Sequence, residues 1–302
     1  MVQMKAPVVA APPTDDQKCI WLASYPKSGN TWVRVFLHNL LNIKNDPAAV
    51  PQNINRLSEH TAWELLPSDY DKLLSKPALE ATPIQIAQAR HTVQLRLAKS
   101  KAKPFLVKTH NAIANVAGFP TINLDVTLAA IYVVRNPLDV AISYAHHSNL
   151  TIDHTIACMS DPKLATAMSK RNVYEFLGSW SFNVASWLSV PNRPVYLLRY
   201  EDLVVDPLRT FSGLVKFLRI DATVDQIKLA VKHSEFGELA KQEQESGFVE
   251  RPEGARVFFR NGKPDEWRSI LTKSQFEAVV SAHAPMMQRI GYLPADCGAN
   301  FS

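Results

Sequence analysis

Three short stretches of this chain carry cationic and hydroxyl side chains at spacings that suit an anion. The first is Pro26-Lys27-Ser28-Gly29-Asn30, between an apolar run from Cys19 to Tyr25 and an amphipathic run that begins near Thr31. A strand–loop–helix unit puts such a loop at the positive end of its helix, where unpaired backbone N–H groups face outward. Gly29 permits close backbone approach, Lys27 supplies a point charge, and Ser28, Asn30 and Thr31 supply donors. The magnesium-nucleotide form of such a loop is G-x-x-x-x-G-K-[ST], with its lysine after the second glycine. Here Lys27 precedes Gly29, which keeps the phosphate cradle and argues against magnesium-nucleotide chemistry.

The second stretch is VVRNPLDVAISY, Val133 to Tyr144. Arg135 ends an apolar strand, and Ser143 falls about two turns into the helix that follows Pro137, so both can reach one anion. The third is FLVKTH, Phe105 to His110, a short strand whose alternation puts Lys108 and His110 on one side. Neither an HExxH pattern nor a carboxylate cluster calls for a metal, and none is expected.

The elements that must position these groups read as alternating strands and helices. The helix after Gly29 presents Val33, Phe36, Leu37 and Leu40 on one face, with Arg34 and Asn39 off it. Residues 46 to 100 contain several prolines and a polar stretch, IQIAQARHTVQLRLAKS from Ile84, that reads as a helical elaboration rather than a sheet strand; LAAIYVVR from Leu128 reads as a buried strand, and 151 to 171 as a polar connector. A helix is predicted over Tyr174 to Leu188, a strand over Val195 to Arg199, and helices over Pro207 to Leu218 and Val224 to Lys232. Gln242 to Lys263 reads as a polar, mobile loop. Ser274 and Glu277 suggest a capping box for a last helix that ends near Ile290, with Gly291 as its stop. Continuous apolar strands alternating with helices predict an α/β fold, a single domain with a central parallel sheet covered on both faces. That domain is expected over residues 18–295, between an N-terminal tail (1–17) and a C-terminal tail (296–302).

Composition narrows the functional classes. A net charge of +5 in 302 residues favours anionic ligands, yet the basic residues are scattered and form no nucleic-acid stripe. Cys19, Cys158 and Cys297 are too few and too widely spaced for a disulfide framework or a zinc cluster, which fits a reducing, cytoplasmic setting. No apolar run is long enough to cross a bilayer, so no membrane partner is expected.

The three stretches together resemble the cytosolic-type sulfotransferase family. YPKSGNTW, Tyr25 to Trp32, looks like its 5′-phosphosulfate loop, and the form with Asn30 resembles small bacterial members, including glycopeptide antibiotic sulfotransferases. Arg135 and Ser143 stand at the positions of its 3′-phosphate motif. FFRNGKPDEW, Phe258 to Trp267, is similar to its RKGxxGDW segment: Arg260 and Gly262 match, while Asn261, Asp265 and Glu266 replace its lysine, second glycine and aspartate. YLLRYEDL and HSEFGEL resemble its adenine-side segments, with Tyr200, Ser234 and Phe236 at matching positions.

The resemblance implies a P-loop-NTPase-like sulfotransferase fold and 3′-phosphoadenosine 5′-phosphosulfate (PAPS) as co-substrate, with 3′,5′-adenosine bisphosphate (PAP) as product. It makes His110 the general base, Lys27 the stabiliser of the leaving phosphate and Lys108 a support for the transferring group. Trp32 and Phe236 would stack on the purine. The acceptor is expected to be a small molecule with a hydroxyl, an amine being the alternative, in a pocket built from residues around 46–100, 145–175 and 240–256. A homodimer is compatible with these features. Two rival readings are a P-loop nucleotide-dependent kinase and a catalytically inactive nucleotide-binding scaffold.

Overall fold

The computed structural model describes residues 18–99, 105–252 and 256–293; the two expected tails and Cys297 lie outside them. In chain order the elements are β1 (Cys19–Ser24), α1 (Asn30–Asn45), a 3-10 segment (Ile54–Glu59), β2 (Thr61–Trp63), α2 (Pro67–Leu74), α3 (Pro83–Lys99), β3 (Phe105–Thr109), the hairpin strands β4 (Asn115–Val116) and β5 (Phe119–Pro120), and β6 (Thr127–Val134). There follow α4 (Pro137–Ser148), α5 (Ile152–Ser160), α6 (Trp180–Leu188), β7 (Val195–Arg199), α7 (Tyr200–Val205), α8 (Pro207–Phe217), α9 (Val224–His233), α10 (Phe236–Ser246), α11 (Trp267–Ile270) and α12 (Lys273–Arg289).

Five strands form one sheet in the order β2-β3-β1-β6-β7, every neighbouring pair parallel. β6 is buried along its whole length, as its unbroken apolar run requires of a central parallel strand. Side-chain alternation divides the sheet between two cores. Trp21, Ala130 and Tyr132 face one core with Trp180 and Trp187, while Leu22, Ile131 and Val133 face the other with Phe36, Leu37 and Phe211. Parallel pairing brings all the carboxyl ends to one edge: Ala23 is opposite Thr109, Ser24 opposite Val133, and Val134 opposite Arg199. The residues that follow these ends are the phosphate-type loop, His110, Arg135 and Tyr200, so topology alone gathers them.

Several sequence expectations need correction. The stretch from Ile84 is helical, as α3, but residues 46–100 also hold a strand that the sequence reading did not find, the three-residue edge strand β2, which pairs Trp63 with Lys108. The polar connector holds α5, capped by the Thr151 side chain accepting from the His154 N–H. The helix expected from Tyr174 begins only at Trp180, because Val173 to Ser179 run back along the chain and Phe176 bridges Ala165. α10 extends to Ser246, so the first part of the expected loop is helical. The capping box of α12 is Thr272 with Gln275 rather than Ser274 with Glu277; Gly291, at φ 76°, ends the helix as expected. α1 is also buried well beyond its apolar face, since Arg34, His38 and Asn39 are all enclosed.

Candidate active site

The carboxyl edge of the sheet opens into a cavity of about 1290 Å³. Lys27, Gly29, Asn30, Thr31, Trp32, Lys108, His110, Arg135, Ser143, Tyr200, Phe236, Arg260, Asn261 and Gly262 all line it. Ser28 and Ser234, the other two expected site residues, are absent from that lining. Ser28 is buried within the loop, and the Ser234 hydroxyl donates to the Val231 carbonyl at 3.0 Å.

The loop after β1 is held in a fixed, partly left-handed path. Lys27 has φ 66° and Gly29 φ 105°, and a Cβ on Gly29 would lie 2.7 Å from the Tyr200 ring. Glycine is required there by conformation and by space. The Asn30 amide donates to the Leu22 carbonyl at 3.0 Å, tying the loop to β1, so that side-chain donor is spent on the protein rather than on a ligand. By contrast, Ser28 Oγ, Trp32 Nε1 and Arg135 Nε are buried without hydrogen-bond partners. Buried donors of this kind are ordinarily satisfied. Here three cluster around the first turn of α1, whose own N–H groups face the same space, and this arrangement fits a phosphate-bearing ligand.

His110 follows β3 and is fixed from both sides. Its backbone N–H donates to Glu175 Oε1 at 2.6 Å, and its Nδ1 lies 2.8 Å from the Ser24 carbonyl oxygen. A carbonyl only accepts, so Nδ1 carries the proton and Nε2 is left as the basic nitrogen. Burial, then the charge of Lys108, pushes the imidazole down to about 3, which keeps it neutral at pH 7. Lys108, two residues earlier on the same side of the strand, pairs with Glu250 Oε2 at 3.0 Å and lies over the Trp63 ring.

Lys27 is enclosed by Phe258, whose ring centroid is 4.0 Å from Nζ, and by His147, whose Nδ1 is 3.4 Å away. Burial, with Arg135 beside it, lowers the Lys27 amine to about 7. Arg135 reaches the Lys27 carbonyl at 3.4 Å and the Lys263 carbonyl at 3.1 Å and lies over the Tyr200 ring, so it joins the loop to the 258–267 segment. That segment is docked by Asp139, whose two oxygens accept from the N–H groups of Asp265 and Trp267 at 2.8 and 3.1 Å. Tyr200 also donates to the Gly262 carbonyl at 2.7 Å. Glu266 takes Arg260 Nη2 and Asn261 Nδ2, both at 2.6 Å, so two of the three departures from the family pattern, Asn261 and Glu266, are bonded to each other and to the matching Arg260.

Sequence reasoning missed His147, Glu175, Glu250 and Arg34. His147 had a usable signal, four residues beyond Ser143 on one helix face. Arg34 and Glu250 had none, being 216 positions apart; they pair at 2.7 Å, and Arg34 is only 4% exposed. Burial alone would raise the Glu250 carboxyl, but Lys108 and Arg34 pull it well below the usual range.

A parallel sheet with a phosphate-type loop, a neutral histidine and several buried cations at one edge defines a group-transfer site for an anionic nucleotide. The sulfotransferase domain model matches residues 17–291, and the chain belongs to the sulfotransferase family. Dog (Canis lupus familiaris) sulfotransferase 1A1 is 25% identical over 276 residues, covering 89% of this chain and 83% of that protein. Rat (Rattus norvegicus) sulfotransferase 2A6 is 26% identical over 263 residues, covering 85% and 80%. The fold is similar to mouse sulfotransferase SULT7A1 complexed with PAP, with a TM-score of 0.56 at 19% identity over 91% of this chain and 86% of that one. It is also similar to retinol dehydratase in a complex with retinol and PAP, with a TM-score of 0.59 at 19% identity over 91% and 82%. No helix among the described residues is long and apolar enough to cross a membrane.

Proposed function

We propose that this protein transfers the sulfuryl group of PAPS to a hydroxyl of a small-molecule acceptor. The observation that carries this reading is the convergence of Lys27, Lys108, His110 and Arg135 on one cavity beside unpartnered buried donors. The PAP named in both structural neighbours supports the choice of nucleotide.

PAPS brings an activated sulfuryl group whose departure leaves PAP. Ser28, the first-turn N–H groups of α1 and Lys27 would hold the 5′-phosphate, Arg135, Ser143 and Arg260 the 3′-phosphate, and Trp32, Phe236 and Tyr200 the purine; Ser234, whose hydroxyl donates to the Val231 carbonyl, would act through the end of α9. His110 Nε2 takes the proton of the acceptor hydroxyl as the new oxygen–sulfur bond forms. The old sulfur–oxygen bond breaks in line with it, and its electron pair goes to the 5′-phosphate oxygen, where Lys27 stabilises the charge. Lys108 neutralises the sulfuryl oxygens once it leaves Glu250. Residues of 54–71, 166–175 and 249–252 line the far side of the same cavity and would bind the acceptor.

The decisive test pairs ligand protection with turnover. PAP should raise the melting temperature in proportion to mass action, more than magnesium-ATP at equal concentration, and labelled donor should yield a sulfated acceptor by mass spectrometry. Better protection by magnesium-ATP would favour the kinase reading. PAP binding with no transfer across a broad acceptor panel would favour the scaffold.

A further inference from the structure

Away from the active cavity, α1 meets the 3-10 segment and β2 through a histidine pair and a carboxylate. His38, on α1, is 1% exposed, and neither of its ring nitrogens has a hydrogen-bond partner. A neutral imidazole always carries one N–H and one lone pair, and leaving both unmet in the interior is unfavourable. Three side chains close over it, Gln52 among them. The His60 ring lies edge-on, with centroids 4.9 Å apart, and Glu59 Oε2 is 3.9 Å from His38 Nε2. One donor atom from each of the three residues lies within 4.8 Å of the other two.

We propose that His38, Glu59 and His60 bind one zinc-class divalent ion, and that this ion pins the 3-10 segment and β2 to α1. Two imidazoles and one carboxylate are a donor set that zinc takes, with water in the fourth position. Bonds near 2.1 Å place tetrahedral donors about 3.4 Å apart, so the side-chain tips must close in by roughly an ångström. Glu59 is exposed, and its open side admits the water. The carboxylate is already oriented, because Arg56 holds Oε1 through Nε at 2.6 Å and leaves Oε2 toward His38. The Asn42 amide donates to the His38 backbone carbonyl at 2.8 Å, one turn along α1 from it. The 3-10 segment places Ile54, Asn55, Leu57 and Ser58 on the wall of the active cavity, so the ion would order that wall without touching the reacting atoms.

The experiment is calorimetric titration of metal-free full-length protein with zinc chloride, alongside melting curves. One ion per chain and a higher melting temperature are expected, and cobalt in place of zinc should give a visible ligand-field band. His60→Gln should weaken binding at least about 100-fold and Glu59→Gln at least about 10-fold, in folded protein with an unchanged far-ultraviolet spectrum. His110→Ala should bind zinc as the wild type does. Absence of stoichiometric binding, or wild-type affinity in both His60→Gln and Glu59→Gln, would overturn the proposal, the second result by placing the ion elsewhere.

Discussion

His110 and Lys27 make opposite demands on pH. His110 is held neutral by burial, so acidification from pH 7 to pH 5 should leave its basic nitrogen intact and produce no acid limb in kcat/KM from that group. Replacing it, His110→Ala, should lower transfer by about 10²- to 10⁴-fold while PAP still binds, as read by calorimetry and single-turnover assay. Full activity in that variant would remove His110 from the mechanism. Lys27 is different, because it must be charged to hold a phosphate yet its amine is lowered to about 7. Above that pH the free protein must take up a proton to bind, so PAP affinity should fall by up to about tenfold per pH unit between 7.5 and 9. Calorimetry in two buffers of different ionisation enthalpy checks this, and Lys27→Ala should flatten the dependence. Lys27, Arg135 and His110 were legible because each stands at a strand end in a recognisable local pattern. Glu250 was not, because only the folded chain brings its loop to Lys108 and Arg34.

At the scale of elements, the 258–267 segment is held at both ends by buried carboxylates: Glu243 of α10 accepts from the N–H groups of Phe258 and Phe259, and Asp139, in the first turn of α4, from those of Asp265 and Trp267. Asp139→Asn keeps the size but replaces one accepting oxygen with a donor that faces an N–H. It should destabilise the protein by about 2 kcal/mol in urea titrations and weaken PAP binding, since Arg260 and Gly262 depend on that docking. The loop after β1 makes a sharper demand. Gly29→Ala forces a Cβ into the Tyr200 ring at a φ that L-residues rarely adopt, so nucleotide binding should be lost with most of the fold retained. Wild-type PAP affinity in Gly29→Ala would contradict the close-approach argument. Strand positions were readable from continuous apolar runs, but β2 was not, because a three-residue edge strand inside a proline-containing polar stretch has no periodicity to detect. The start of α6 was also hidden, since the residues before Trp180 are as apolar as the helix itself.

For the whole molecule, both cores share β1 and β6, so neither face can melt without exposing the other. Leu37→Ala on one side and Val184→Ala on the other should each cost about 2 to 4 kcal/mol and shift the same single transition, seen together by circular dichroism and tryptophan fluorescence. Two separated transitions would mean that the faces unfold independently. The sheet also divides the labour of the site unequally. Lys27, His110 and Arg135 follow the interior strands β1, β3 and β6, whereas the short outermost strand β2, with the stretches on either side of it, forms much of the opposite wall. Substitutions in that margin should therefore change which acceptor is taken while leaving PAP affinity as it stands, a split that calorimetry and an acceptor panel would read.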